Sequence, residues 1–204
     1  MARLYPVEPE DFAPDLQATL GAATMANRGA LGLLRVLAQR PDLTMEFLGF
    51  RAGLTRATTL SQRMLELVRL RIAFHNQCRS CMAVRSGAAA AEGVDEALVC
   101  SLERPQDAPD LSEAERAAIA YADLMATDHL AAGEAIFDRL RTHFSEPEIV
   151  ELGVHIAIFV GFGRLSATWD IVDDLPSRYH ARDAAVTPWG SEGEAADGVL
   201  AGHR

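Results

Sequence analysis

From residue 14 to residue 174 apolar residues recur at helical spacing, and nowhere do they alternate with period two over a useful length. That pattern excludes a sheet protein and predicts an all-α chain. Helices are expected over 14 to 21, over 27 to 40 up to Pro41, and over 42 to 52, with Asp42 as N-cap and Gly53 beyond the end. A long amphipathic helix follows at 58 to 76, "TTLSQRMLELVRLRIAFHN". The alanine-rich stretch 79 to 92 reads as one helix ending at Gly93, and Asp95 can cap 96 to 103. Ser112-x-x-Glu115 and Ser145-x-x-Glu148 are capping boxes, with a helix at 133 to 143 between them and the longest helix, 146 to 174, after the second. "SLERPQDAPDLS" (101 to 112) reads as a loop inside one domain. The expected organisation is a single helical domain over 1–175 and a C-terminal extension, 176–204, that wraps the domain and frays.

Charge then narrows function. The net charge is -10 and the pI is near 5.0, which disfavours nucleic acid and anionic membranes. All 19 basic residues are arginine. Without lysine there is no Schiff-base nucleophile, no pyridoxal phosphate linkage and no P-loop lysine. No apolar run is long enough for a membrane span, the longest being "VHIAIFVGFG" (154 to 163), and no secretion signal is seen. Three cysteines in such a chain suggest a reducing, cytoplasmic setting.

Two of those cysteines stand in "NQCRSCMAVRSG" (76 to 87) as Cys78-x-x-Cys81. If the chain reverses near Asn76 and Gln77, both fall on the first turn of a helix, where amide donors and the helix dipole stabilise a thiolate. Arg79 and Arg85 add positive charge. A redox or nucleophilic dithiol, half of a metal site and a pair of inert thiols are the three readings. Zinc would need two further ligands, and Cys100 with six scattered histidines offers no second paired motif. Cys100, among Leu98, Val99 and Leu102, is expected to be a core thiol, and His155 a satisfied core histidine.

The segment resembles the carboxymuconolactone decarboxylase-like superfamily in its alkylhydroperoxidase D (AhpD)-like branch. The signature there is a glutamate, eleven intervening residues, C-x-x-C, then three residues and a histidine. Here Glu66, Cys78 and Cys81 match, followed by Gly87 and the alanine-rich stretch. "YADLMATD" (121 to 128), Arg164 and "DIVDDLP" (170 to 176) also look like larger members, so the resemblance spans roughly 45 to 175.

The resemblance implies an AhpD-like helical bundle, with the C-x-x-C at the start of a helix in a helical hairpin, assembled as a homo-oligomer (dimer, trimer or hexamer). It implies a thiol-dependent peroxidase or disulfide oxidoreductase without cofactor or metal. Cys81 would attack a hydroperoxide, Cys78 would resolve the sulfenic acid as a disulfide, and a lipoyl-type dithiol would reduce the pair. Position 85 departs from the pattern, with arginine where the family has histidine. An arginine does not pass protons near neutral pH. On an antiparallel hairpin Glu66 falls near Arg85, and an ion pair between them is expected, lowering the glutamate's pKa. His75 is a candidate auxiliary, although nine residues of helix place it opposite Glu66. Competing readings are a lactone decarboxylase-type lyase and a non-catalytic or redox-sensing helical oligomer.

Overall fold

The structure is a computed structural model, and it describes residues 2–181, 184–189 and 199–201. Among the described residues it is helical apart from loops and two three-residue strands. The main helices are α1 (Pro14–Ala26), α2 (Arg28–Leu37), α3 (Pro41–Ala57), α4 (Gln62–His75), α5 (Arg79–Ala83), α6 (Gly87–Ala91), α7 (Glu96–Cys100), α8 (Glu113–Thr127), α9 (Glu134–Arg141) and α10 (Glu146–Trp169). Strand β1 (Val84–Ser86) pairs in parallel with β2 (Val199–Ala201), Arg85 opposite Leu200.

Helix α4 is the axis of the core. Its Leu67, Val68, Leu70 and Ile72 are fully buried, packed with Ala117, Ala118, Ile119 and Ala122 of α8 and Leu152 and Ile156 of α10. Fully burying an aliphatic side chain of this size contributes about 1.5–3 kcal/mol, so four on one helix fix it firmly. Both capping boxes form: Ser112 accepts the Glu115 backbone N–H while Glu115 reaches back, and the Ser145 N–H and hydroxyl both donate to the Glu148 carboxylate.

Several expected boundaries move, each for a local reason. Helix α3 starts at Pro41, with Arg40 as N-cap, so Asp42 lies inside the first turn and forms an ion pair with Arg40. Gly53 does not stop it, and the helix runs on to Ala57. Helix α4 begins only at Gln62, because Ser61 caps it by accepting the Met64 N–H. Helix α10 ends at Trp169 and not near 174, since Asp170 adopts the left-handed conformation (φ 53°). By length and composition alone α10 is apolar enough to cross a membrane. Here its inner face packs on α4 and α8.

The α4–α5 reversal falls where the sequence placed it. Gln77 takes a left-handed conformation (φ 49°) between Asn76 and Cys78. The turn is anchored to α10 through Asn76, whose Nδ2 donates to the carbonyls of Phe159 and Val160. Gly163 makes that approach possible: a Cβ there would stand 2.4 Å from Asn76 Nδ2.

The expectation of a continuous helix over 79 to 92 is corrected. The helix breaks at Val84–Ser86 and restarts as α6, with Ser86 as its N-cap accepting from Ala89 N–H. Side chains take the backbone groups a helix would have used. Arg69 donates to the carbonyls of Cys81 (2.6 Å) and Val84 (2.7 Å), Arg85 donates to that of Met82 (2.5 Å), and Glu66 accepts the Ser86 N–H (3.0 Å). Buried backbone groups must be satisfied somewhere, so these arginines and the glutamate hold the break open.

Beyond α10 the chain returns over the hairpin. Val186 exchanges hydrogen bonds with the Gln77 side chain, Arg79 donates to Ala184 O, Arg85 donates to Pro188 O, and Trp189 packs against Phe74 with ring centroids 4.7 Å apart. The expected fraying at the end of the extension concerns residues outside those described.

Candidate active site

Cys78 and Cys81 are joined as a disulfide across the first turn of α5. Cys78 is the N-cap residue and wholly buried; Cys81 is half-buried. The burial difference follows from position. Cys78 sits inside the turn, between the end of α4 and α10, whereas Cys81 lies one turn along, partly buried against the cluster of Ala73, Met82 and Tyr179.

The sulfur of Cys78 accepts the Cys81 backbone N–H at 3.3 Å. It also lies 3.6 Å from Ser80 Oγ, which is 2.9 Å from Oγ of the buried Ser166 on α10. The Cys81 carbonyl receives Arg69.

Glu66 is buried, 3% exposed, and its partner is Arg69 on the next turn of α4, not Arg85. The pair is bidentate, Arg69 Nε to Glu66 Oε2 at 2.7 Å and Nη2 to Oε1 at 2.8 Å. Burial pushes the carboxyl pKa up, but the adjacent Arg69 charge and its hydrogen bonds, the Ser86 N–H and the more distant Arg85 together outweigh it. Glu66 is therefore held below the ordinary carboxylate range, ionised and poorly suited to carry a proton at neutral pH. The direction of the expected shift is right and its principal cause is different.

The expected Glu66–Arg85 ion pair is thus corrected. Arg85 is buried and turns the other way, gripping Glu96 of α7 (Nε to Oε1 2.8 Å, Nη2 to Oε2 3.1 Å), Met82 O and Pro188 O. The hairpin estimate gave the right neighbourhood but ignored the break at 84–86, which redirects the Arg85 side chain. Its hydrogen bonds go to Glu96 and to backbone carbonyls, so Arg85 locks the break and the returning chain together. Met82 O is shared with the buried Tyr179 hydroxyl, itself bonded by Arg178.

His75 lies elsewhere: its Nε2 is 2.6 Å from Asp123 Oδ1, a carboxylate that also binds Arg71. The α4 face opposite Glu66 is thus a structural ion-pair cluster, as the helical angle implied. His155 is buried, 3.3 Å from Thr58 Oγ1, and burial holds its imidazole pKa down. Cys100 is exposed, which corrects the expectation of a core thiol; it ends α7, so its side chain leaves the packed face occupied by Leu98 and Val99. Among the described residues no group of three or more His, Cys, Asp or Glu could hold a metal ion.

Sequence reasoning missed Arg69, Ser80 and Ser166. Arg69 carried a readable signal, an arginine three residues after a glutamate on one helix. Ser166 carried none, since its approach to Ser80 depends on the α10–α5 packing.

The site is thus a hairpin of α4 and α5, with an ionised glutamate on the first arm and a disulfide-forming C-x-x-C opening the second. Residues 41–124 match the model of the carboxymuconolactone decarboxylase family. Among solved structures, an uncharacterized peroxidase-related protein from Ralstonia eutropha JMP134 with the alkylhydroperoxidase AhpD core superposes with TM-score 0.72 at 18% identity, covering 88% of this chain and 94% of that one. The debrominase Bmp8, solved as a cysteine-to-alanine variant in complex with 2,3,4-tribromopyrrole, gives TM-score 0.62 at 21% identity, covering 85% and 95%. An uncharacterized protein of two Mycobacterium tuberculosis strains is 36% identical over 108 residues, 52% of this chain. The chain spans 37% of the length of those relatives. The family match is thus carried by residues 41–124, and the fold as a whole is similar to that of the AhpD-core structure.

Proposed function

We propose that the protein is a thiol-dependent peroxidase of organic hydroperoxides, working through the Cys78/Cys81 pair. The observation that carries this reading is the pair itself: a disulfide spanning a helix first turn, with Cys81 partly exposed and Cys78 wholly buried. Cys81 is the sulfur a hydroperoxide reaches. As a thiolate at the start of α5, with the Arg69 guanidinium on its own carbonyl, it is electrostatically favoured. Attack on the peroxide oxygen transfers one oxygen to Cys81, giving a sulfenic acid and an alcohol. Cys78 then displaces water, forming the disulfide. A lipoyl-type or other dithiol closes the cycle by exchange.

Glu66 and Arg69 hold the Cys81 carbonyl and the helix break in place, and Arg85 fixes the break from the other side. None of the three is a proton carrier in this geometry. Peroxidase-related and debrominating neighbours share the fold. The C-x-x-C pair, which lactone decarboxylation does not require, selects the redox reading. The active unit is proposed to be a homo-oligomer.

The test is a single turnover of the reduced protein with one equivalent of cumene hydroperoxide, read by intact mass. Loss of two hydrogens, abolished in both Cys78→Ser and Cys81→Ser, is expected, with a sulfenic acid retained in Cys78→Ser. Two free thiols after an hour would exclude the peroxidase.

A further inference from the structure

Between the two cysteines stands Ser80, whose hydroxyl lies 3.6 Å from Cys78 Sγ and 2.9 Å from Ser166 Oγ. Chemistry fixes the direction of these contacts. A disulfide sulfur carries no hydrogen, so in this oxidised form Ser80 O–H is the donor to Cys78 Sγ. Ser80 Oγ is then free to accept, and Ser166 O–H donates to it. Ser80 and Ser166 both line a gap of about 10 Å³ between the hairpin turn and the end of α10, bounded also by Gln77, Arg79 and Asp170. That is room for a single water. A hydroxyl chain thus runs from this gap through Ser166 and Ser80 to the buried sulfur.

The two sulfurs differ accordingly. Cys78 Sγ faces two donors, the Cys81 N–H at 3.3 Å and Ser80 O–H, while the described hydrogen bonds give Cys81 Sγ none. Hydrogen bonds to a departing thiolate make it a better leaving group. A thiolate left bare at this fully buried position would be costly.

We propose that Ser80 and Ser166 form a proton relay to Cys78 that makes it the leaving sulfur when the disulfide is reduced, so that an external dithiol attacks Cys81. The step balances without a further oxidant. The donor thiolate forms a bond to Cys81 Sγ, the Cys78–Cys81 bond breaks, and its electron pair leaves on Cys78. Cys78 takes the Ser80 proton, Ser80 takes that of Ser166, and solvent at the gap reprotonates Ser166. The second thiol of the donor then releases reduced Cys81. Ser80 touches the reacting sulfur; Ser166 acts through it. The relay rests on the redox reading above for its purpose, but its test needs only the disulfide.

The experiment is rapid-quench reduction of the oxidised protein by dithiothreitol, and separately by glutathione, for wild type, Ser80→Ala and Ser166→Ala. Both variants should be reduced about tenfold more slowly at pH 7, the low end of the contribution of a positioned proton donor. In wild type, peptide mass mapping should find glutathione on Cys81, and Ser80→Ala should move part of it to Cys78. That redistribution is not something a merely loosened fold produces. If Ser80→Ala fails to fold, Ser166→Ala alone decides by the same rate. Wild-type rates in both variants, or glutathione on Cys78 in wild type, would overturn the relay. Serine effects that persist without hydroperoxide turnover would remove the peroxidase and leave the relay standing.

Discussion

The carboxylate of Glu66 accepts the backbone N–H of Ser86 at 3.0 Å across the break in the dithiol helix, while its partner Arg69 holds the carbonyls of Cys81 and Val84 on the other side of the same break. One ion pair on α4 therefore satisfies three backbone groups on the second arm of the hairpin. It does so from a buried position, where a charge without its partner is expensive.

Removing Arg69 should cost about twice as much as removing the charge of Glu66, because Arg69 keeps its bonds to the Cys81 and Val84 carbonyls when Glu66 is neutralised. Arg69→Met leaves a buried carboxylate unpaired, a loss of about 3–5 kcal/mol. Glu66→Gln keeps an acceptor for Ser86 and should cost about half as much. The double variant should recover part of the loss, because the two residues share one network. Urea unfolding of the three variants measures this, and strict additivity would refute the coupling.

Placing at position 85 the histidine of the signature that the chain resembles, by Arg85→His, should not raise the proposed peroxidase activity. The arginine ties Met82 O, Glu96 and Pro188 O together, and an imidazole is too short to span them. The expected result is a loss of about 2 kcal/mol, or a melting temperature lower by about 4–8 °C for a chain of this size. A faster hydroperoxide turnover with unchanged melting would show that position 85 faces the reacting sulfur after all.

Gly163→Ala should weaken the anchor of the hairpin turn. The new methyl meets Asn76 Nδ2, and Asn76 cannot move freely because it donates to Phe159 O and Val160 O and accepts from Arg164. Overpacking of this kind costs about 1–3 kcal/mol. The same substitution at Gly161, where a Cβ meets nothing within 4 Å, should be neutral or slightly stabilising. Paired thermal melts of the two variants check the contrast.

Much of this fold was readable. The capping serines 112 and 145, the left-handed reversal at Gln77 and the burial of the α4 leucines all express local chemistry written within a few residues. The break at Val84–Ser86 was not, because alanine-rich sequence there favours helix and the interruption is imposed by Glu66 and Arg69, fifteen to twenty residues away. The same distance explains the site. Cys78 and Cys81 are recognisable from their spacing and Glu66 from the family resemblance, whereas the partners of Glu66 and Arg85 depend on which way the interrupted helix turns. Ser166, eighty-six residues from Ser80, was beyond any local pattern.

Glu151 gives a prediction in pH. This carboxylate on α10 caps the α3–α4 loop, accepting the N–H groups of Thr59 and Leu60 and the hydroxyls of Thr58 and Thr59, and so sets where α4 begins. Burial raises its pKa, but those hydrogen bonds prevail and hold it down to about 2, against 4.5 ordinarily. A depressed carboxyl contributes stability above its unfolded value and loses it as pH falls toward the folded one. The wild-type protein should therefore shed stability from this group between pH 4.5 and about 2. Glu151→Gln should be weaker at pH 7 by about 1–2 kcal/mol, the range for a lost cap, and its stability should fall less steeply through that acid window. Urea unfolding at a series of pH values measures both curves, which converge at low pH if the capping carboxylate is the cause and stay parallel if it is not.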